Sequence, residues 1–391
     1  FGQAAMTSRK KHSPRSAKPA LTCEELIRYG RQIAMPQFGR KGQERLHRAR
    51  VAIVGMGGLG SPAAIYLATA GIGTLGLVDC DRVALSNLHR QVVHPDANVG
   101  RAKTESAAAV LSALNPRVTI RQHPERLSPE NAADVLAPYD IVLDGSDNFP
   151  TRYLVNAACV LLGKPLVYGS VWRFEGQASV FAMRNGPCYS CLYPDPPPPD
   201  LAADCTEGGV LGVLPGIVGL IQATETIKLI TGLGKPLVGR LLMYDALGMA
   251  FREVAILKDP ACPVCGRNRR LKNTRDIRKM ADALPAAGAS EDEISPKALR
   301  AMLKKKGSIV LLDVRQPEEH EYCRIPNSIL IPLNKLASRM RKLGRSATYV
   351  VYCRSGCRGD TAMRQLREAG FKRVKNLAGG ILAWADKVDP S

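Results

Sequence analysis

The sequence predicts an α/β protein, a doubly wound and mostly parallel sheet followed by a second, smaller α/β unit, and three observations carry that prediction. First, the run Val51-Ala-Ile-Val54 enters the glycine-rich turn Gly55-Met-Gly-Gly-Leu-Gly60, and a helix-compatible stretch from Pro62 to Ala70 follows. Second, short apolar strand patterns then alternate with helical ones, the signature of parallel strands joined by helical crossovers. Third, the composition changes between Arg267 and Ser290, to basic residues and then to Ala and Gly, before a new strand and helix alternation begins at Glu291. A chain of 391 residues with 45% hydrophobic content has room for two or three domains with packed cores.

Residues 1–20 are basic and rich in small polar side chains, so a flexible tail is expected; without an apolar h-region it does not read as a secretory signal. Phe1 to Ala5, ahead of Met6, fit either native chain or an expression remnant. Thr22 with Glu25 three residues on forms a capping-box pattern for a helix through Ile33, which carries Arg28-Tyr-Gly-Arg-Gln32. Strands are expected at Val51 to Val54, Leu75 to Val78, Val118 to Gln122 and Ile141 to Leu143, with helices near Pro62 to Ala70, Lys103 to Leu114 and Pro129 to Leu136. Leu166 to Val171 and Ala178 to Met183 continue the strand pattern. Pro194 to Pro199 is too stiff for a helix and reads as a surface loop. Leu211 to Ile230 follows as a long helix, and Gly239 to Lys258 as a strand pair at a sheet edge. The first domain is thus expected over 21–268, a linker over 269–289 and a second domain over 290–391, with strands at Ile309 to Val314 and Thr348 to Tyr352.

Net charge of +20 invites a nucleic-acid reading, but the basic residues are scattered among several segments and no aromatic residues are interleaved with them, so nucleic acid is not expected. A solvated basic surface accounts for the charge, and an acidic protein partner steered by it is the sharper alternative. The best apolar run, Gly208 to Ala223, is broken by glycines and Pro215, short of the roughly 18 apolar residues of a membrane helix. A cytoplasmic protein is expected, and its 11 cysteines point to metal or catalytic thiols rather than disulfides.

In the glycine turn, Gly55 permits the tight bend, Gly57 and Gly58 let a phosphate approach bare backbone, and the next helix presents its first N–H groups to the anion; such turns also occur purely for packing. Asp79, about twenty residues on, stands where a ribose hydroxyl would find a carboxylate. Ser86-Asn-Leu-His-Arg90, Lys103 and Asp147-Asn148 converge on the carboxyl edge of the sheet. An NAD-dependent oxidoreductase would use little beyond Asp79, whereas cations after one strand and a carboxylate after another suit a nucleoside triphosphate with Mg2+ at Asp147. Cys188-x2-Cys191 and Cys262-x2-Cys265 supply four thiolates for a structural Zn2+ stapling distant parts of one domain; redox pairs or plain free thiols are the other readings, and a zinc-organised scaffold without turnover remains conceivable. Cys205, near a helix start, is placed for an activated thiol or is a spare buried cysteine. Cys353 begins the loop Cys353-Arg-Ser-Gly-Cys-Arg358, in which N–H groups, Arg354 and Arg358 would stabilise an anion on sulfur, and Cys357 resolves a persulfide or only fills space.

Together these features resemble the adenylating branch of the ubiquitin-activating superfamily, of the MoeB and ThiF type. The resemblance covers Thr22 to Gly266 and rests on Arg28 to Gln32, Gly55 to Gly60, Ser86 to Gln91, Lys103, Asp144 to Asn148, Cys205-Thr-Glu-Gly-Gly209 and both Cys pairs. It implies ATP binding by Gly58, Asp79, Ser86, Asn87, Leu88, His89, Arg90, Lys103, Asp147 and Asn148, with Arg31 reaching the partner's site in a homodimer. It also implies adenylation of the C-terminal Gly-Gly of a small ubiquitin-like sulfur carrier protein. The chain from Ser290 to Lys387 resembles a rhodanese through Leu312-Asp-Val-Arg315, Arg324-Ile-Pro-Asn327, the Cys353 loop and Gly379-Gly-Ile-Leu-Ala-Trp384. A Rossmann-like adenylating domain with a zinc knuckle, fused to a small α/β rhodanese-like domain, is similar to the MoeZ type of adenylyltransferase/sulfurtransferase. The resemblance implies that Cys205 links covalently to the activated carrier and that Cys353 carries a persulfide drawn from thiosulfate or a cysteine desulfurase, giving a carrier thiocarboxylate. Molybdopterin, thiamine's thiazole, cysteine, a tRNA base and a secondary metabolite all remain open as the sulfur's destination.

Overall fold

The structure, a computed structural model, describes residues 21–195, 209–282, 292–304 and 309–389. Eight strands form one sheet: β1 Arg50–Val54, β2 Thr74–Val78, β3 Thr119–His123, β4 Ile141–Asp144, β5 Leu166–Trp172, β6 Glu175–Phe181, β7 Arg240–Asp245 and β8 Ala250–Ala255. Their order is β3-β2-β1-β4-β5-β6-β7-β8, parallel from β3 to β5 and antiparallel beyond. Alternation along β1 explains its place at the centre. Val51 and Ile53 face one buried layer with Leu67 and Leu111, while Ala52 and Val54 face the other with Leu136 and Leu154, so a strand buried on both faces must be apolar throughout.

The chain leaves β1 toward β2 and β3 on one side and resumes at β4 on the other, which opens a crevice between the carboxyl ends of β1 and β4. There Val54 is in register with Asp144, and the Gly145 N–H donates to the Val54 carbonyl at 2.8 Å. The helix Gly60–Thr69 starts hard against this point: a Cβ on Gly60 would lie 1.9 Å from the Gly55 carbonyl oxygen, and Gly55 itself has φ +90°.

Thr22 and Glu25 do form a reciprocal capping box, but the helix it starts ends at Arg28 and a separate turn, Gly30–Ile33, carries Arg31. The helix Phe149–Leu162 has no counterpart among the sequence expectations, because residues Arg152 to Cys159 are all buried and leave no amphipathic stripe. Within the stretch expected as a linker, Leu271 and, on the helix Thr274–Asp282, Ile277 are buried in the same core as Cys188 and Cys262; the basic residues around them hide these apolar anchors in the sequence. Strand β8 is exposed throughout, as an edge strand must be. A second, all-parallel sheet comprises β9 Glu293–Ile294, β10 Ile309–Asp313, β11 Ile329–Leu330, β12 Thr348–Tyr352 and β13 Val374–Leu377 in the order β11-β10-β12-β13-β9.

Gly60→Ala should destabilise the first unit by about 1–3 kcal/mol through overpacking. A thermal melt followed by circular dichroism should show its transition several degrees lower, and an unchanged transition would mean that the turn can yield.

Candidate active sites and metal centre

The crevice at the ends of β1 and β4 is a cavity of about 810 Å3 lined, among others, by Gly58, Asp79, Arg90, Lys103, Asp147 and Asn148. Six of the residues expected to bind nucleotide therefore meet there. Asp79 ends β2's excursion into the cavity and holds the glycine turn: its Oδ2 accepts the Met56 N–H at 2.7 Å and its Oδ1 the Asp81 N–H at 2.8 Å. Burial raises its pKa, opposed by Lys103, whose Nζ lies 4.0 Å from Asp79 and 3.0 Å from Asp81. Lys103 is itself buried at the first position of the helix Lys103–Leu114, so its charge is aimed by the backbone.

His94 was not among the expected site residues, yet it grips the same turn from behind. Its Nε2 is 3.0 Å from the Met56 carbonyl and its Nδ1 3.0 Å from Ser106 Oγ. Since the carbonyl can only accept, Nε2 carries the proton and Nδ1 accepts from the hydroxyl; burial lowers the ring's pKa and favours this neutral form. Only the fold could reveal this, because a lone histidine in the sequence has no spacing signal. At the opposite wall Asp147 and Asn148 are exposed, and Asn148 caps the helix Phe149–Leu162 by accepting the Thr151 N–H at 3.0 Å. Arg152, also new to the site, lies over the Phe149 and Tyr168 rings and donates to the Ser146 carbonyl at 3.3 Å.

Ser86, Asn87 and His89 line a neighbouring cavity of about 540 Å3 rather than the main one. Arg90 lines both, and the far wall of the second cavity is Arg354 and Leu382 of the C-terminal unit. Leu88 lines neither cavity, and Arg31 sits exposed, also outside both. Cys205 and most of the proline-rich loop lie outside the described residues, but Gly209 and Val210, just after Cys205 in sequence, line the second cavity.

The four paired cysteines meet despite the long chain between the pairs. Their sulfur atoms lie within 4.8 Å of one another, with Cys188–Cys191 at 3.9 Å, Cys188–Cys262 at 3.7 Å and Cys191–Cys265 at 3.4 Å. A tetrahedral zinc with Zn–S bonds near 2.3 Å would set its sulfurs about 3.8 Å apart, so the donor set and its spacing fit Zn2+. Gly266 completes the knuckle, since a Cβ there would come within 2.5 Å of the Cys262 carbonyl.

At the end of β12, Cys353 is buried and its Sγ accepts the Gly356 N–H at 3.0 Å. Gly356 has φ +114°, and its carbonyl accepts from Asn376 Nδ2 at 2.9 Å. Asn376, fully buried on β13, is thus the strut of the loop, and a Cβ on Gly359 would sit 2.2 Å from its Oδ1. Arg358 is held by Glu319 through two bonds of 2.8 and 2.9 Å. Gly380 lets the loop close on the last helix: a Cβ there would be 2.5 Å from the carbonyls of both Cys353 and Arg354. Beneath, burial alone would raise the Asp313 carboxyl, but hydrogen bonds from Arg315 and His320 outweigh it and hold the pKa below its usual value.

The ThiF family model matches residues 29–264, and the model of the rhodanese-like domain matches 295–387. The chain is 45% identical over 380 residues to a probable adenylyltransferase/sulfurtransferase MoeZ of Mycobacterium tuberculosis, with 95% of each chain covered. It is 40% identical over 397 residues to the adenylyltransferase and sulfurtransferase MOCS3 of Arabidopsis thaliana, covering 95% of this chain and 86% of that one. Among solved structures it resembles PaaA, with TM-score 0.53 and 25% identity over 65% of this chain and 79% of that chain. It also shares the fold of E. coli MccB solved with ATP, at TM-score 0.53 and 21% identity, covering 60% of this chain and 75% of that one.

Purified protein should contain about one zinc per chain bound by four thiolates. Cys262→Ser or exhaustive chelation should lower the melting temperature of the first unit, checked by metal analysis alongside calorimetry; protein prepared without chelators that contains no zinc would remove the metal from this site.

Proposed function

We infer that this chain, which belongs to the ThiF family and ends in a rhodanese-like domain, runs two successive reactions on one small protein substrate. It is an adenylyltransferase and sulfurtransferase of the MoeZ and MOCS3 type, whose first unit adenylates a sulfur carrier protein and whose second transfers sulfur. The observation that best supports the finer reading is the pair of adjoining cavities, one beside the glycine turn and one reaching the loop that follows Cys353, with Arg90 in the wall of both.

In this reading ATP lies in the larger cavity, with its phosphates against Gly58 and covered by Arg90 and Lys103, and its ribose beside Asp79. An exposed carboxylate at the cavity wall suits a hard, partly hydrated cation, and Mg2+ held by Asp147 would neutralise phosphate charge. An oxygen of the carrier's C-terminal glycine attacks the α-phosphorus, the bond to the bridging β-phosphate oxygen breaks, and acyl-adenylate and pyrophosphate result. Arg31, exposed on its short turn, is free of both cavities of its own chain and is assigned to the site of a second copy in a homodimer. Cys353 thiolate takes the outer sulfur of a donor such as thiosulfate, releasing sulfite, or accepts it from the persulfide of a cysteine desulfurase. Cys205 displaces AMP to form a thioester. The terminal persulfide sulfur attacks that carbonyl and expels Cys205, which then attacks the Cys353 sulfur; thiocarboxylate leaves, and the resulting disulfide is reduced by an external dithiol.

Hydride transfer to a nicotinamide and a non-catalytic scaffold are not favoured, because neither gives Arg90, Lys103 and the Cys353 loop a task and the relatives are named as transferases of both kinds.

Asp147→Ala should reduce carrier-dependent exchange of labelled pyrophosphate into ATP by about 100-fold or more, the scale of losing a preorganised charge contact; near-normal exchange would reassign the metal ligand. Cys353→Ala should lose thiosulfate sulfurtransferase activity while retaining adenylation, and Cys205→Ala should keep both partial activities yet make little thiocarboxylate by mass spectrometry of a Gly-Gly-ended carrier. Wild-type thiocarboxylate yield from Cys205→Ala would return Cys205 to a structural role, with persulfide attacking the adenylate directly.

A further inference from the structure

The cavity between the two units is built from an unusual mixture. Arg82, Ser86, Asn87 and Arg90 contribute from the first unit and Arg354 from the second, around about 540 Å3 of space. Its acid, Asp81, is already paired with Lys103 at 3.0 Å, so the remaining charge is positive. His89 adds none: burial, then Arg90 and Arg354, lower its pKa, and its Nε2 accepts from Arg90 at 2.7 Å. Arg354 is held by its backbone, through its carbonyl and the Leu382 N–H at 3.1 Å, while its guanidinium makes no hydrogen bond or ion pair among the described residues. A cation held beside other cations, with hydroxyl and amide groups nearby, calls for a multiply charged anion. Arg90 belongs to both cavities, so that anion is contiguous with whatever fills the larger one.

We propose that Arg354, carried by the sulfurtransferase loop into the wall of this cavity, joins Arg90 in holding the pyrophosphate released by adenylation. The proposal rests on the adenylation reading above and adds that the C-terminal unit takes part in the first reaction as well as the second. It places the residue after the sulfur-bearing cysteine on the leaving group of the preceding step, so that the two reactions share a wall.

The test uses the full-length protein with Arg354→Gln, Arg354→Lys and, as a control of equal charge change on the exposed surface of the same unit, Lys372→Gln. Carrier-dependent pyrophosphate exchange should show a KM for pyrophosphate raised roughly tenfold in Arg354→Gln, the scale of one lost charge-assisted hydrogen bond. Arg354→Lys should recover part of that loss, Lys372→Gln should match wild type, and the KM for carrier should not move. The alkylation rate of Cys353 and its thiosulfate KM are read in the same variants. A wild-type pyrophosphate KM in Arg354→Gln overturns the proposal, as does a rise confined to the thiosulfate KM, which would assign the cavity to the sulfur donor. Absence of exchange in the wild-type protein would instead sink the adenylation reading itself.

Discussion

Three stretches of bare backbone meet at the crossing of β1, β4 and the first crossover helix, and the remainder of the first site depends on that contact. A Cβ on Gly60 would fall 1.9 Å from the Gly55 carbonyl, one on Gly55 2.8 Å from the Gly145 carbonyl, and one on Gly145 3.0 Å from both Gly55 and Gly60. Because no side chain separates these segments, the start of the helix and the ends of two strands lie close enough to form one polar crevice. Asp79 and His94 then fix the turn from two sides through Met56, one through its N–H and the other through its carbonyl.

The second unit solves a similar problem with different parts. Cys353 also follows a buried parallel strand and precedes a helix, but its turn is braced by Asn376 from the neighbouring strand and closed by Gly380 from the last helix. A buried ion pair of Asp313 and Arg315 underlies it, with His320 Nδ1 2.8 Å from the same carboxylate. Such a pair sets geometry more surely than it adds stability, since removing two charges from water offsets much of their attraction. In both units, then, a parallel strand ends in a tight turn that polar side chains hold in place.

Much of this was legible in the residue order. Glycine spacing, the strand and helix alternation and the two Cys pairs are local patterns, and local patterns survive in one dimension. The helix Phe149–Leu162 was not legible, because a helix buried on every side has no periodicity to read. The helix Thr274–Asp282 reads as linker in the sequence because its anchor Ile277, like nearby Leu271, lies within a basic segment. His94, Arg152 and Asn376 were missed for a shared reason: each acts through a partner distant in sequence, Met56, Tyr168 and Gly356 among them.

The sequence by itself determined the class of fold and placed the glycine turn, the Cys353 loop and the two Cys pairs along the chain, since each is a pattern of residue types at short fixed spacing. Only the tertiary structure decided that Ser86, Asn87 and His89 line a second cavity, that Cys188 and Cys191 meet Cys262 and Cys265, and that Arg354 and Arg90 share the wall of one cavity. Those are contacts between segments far apart along the chain. Their geometry is set by strand order and by the closeness with which glycine backbones pack, neither of which is written in any one stretch of residues.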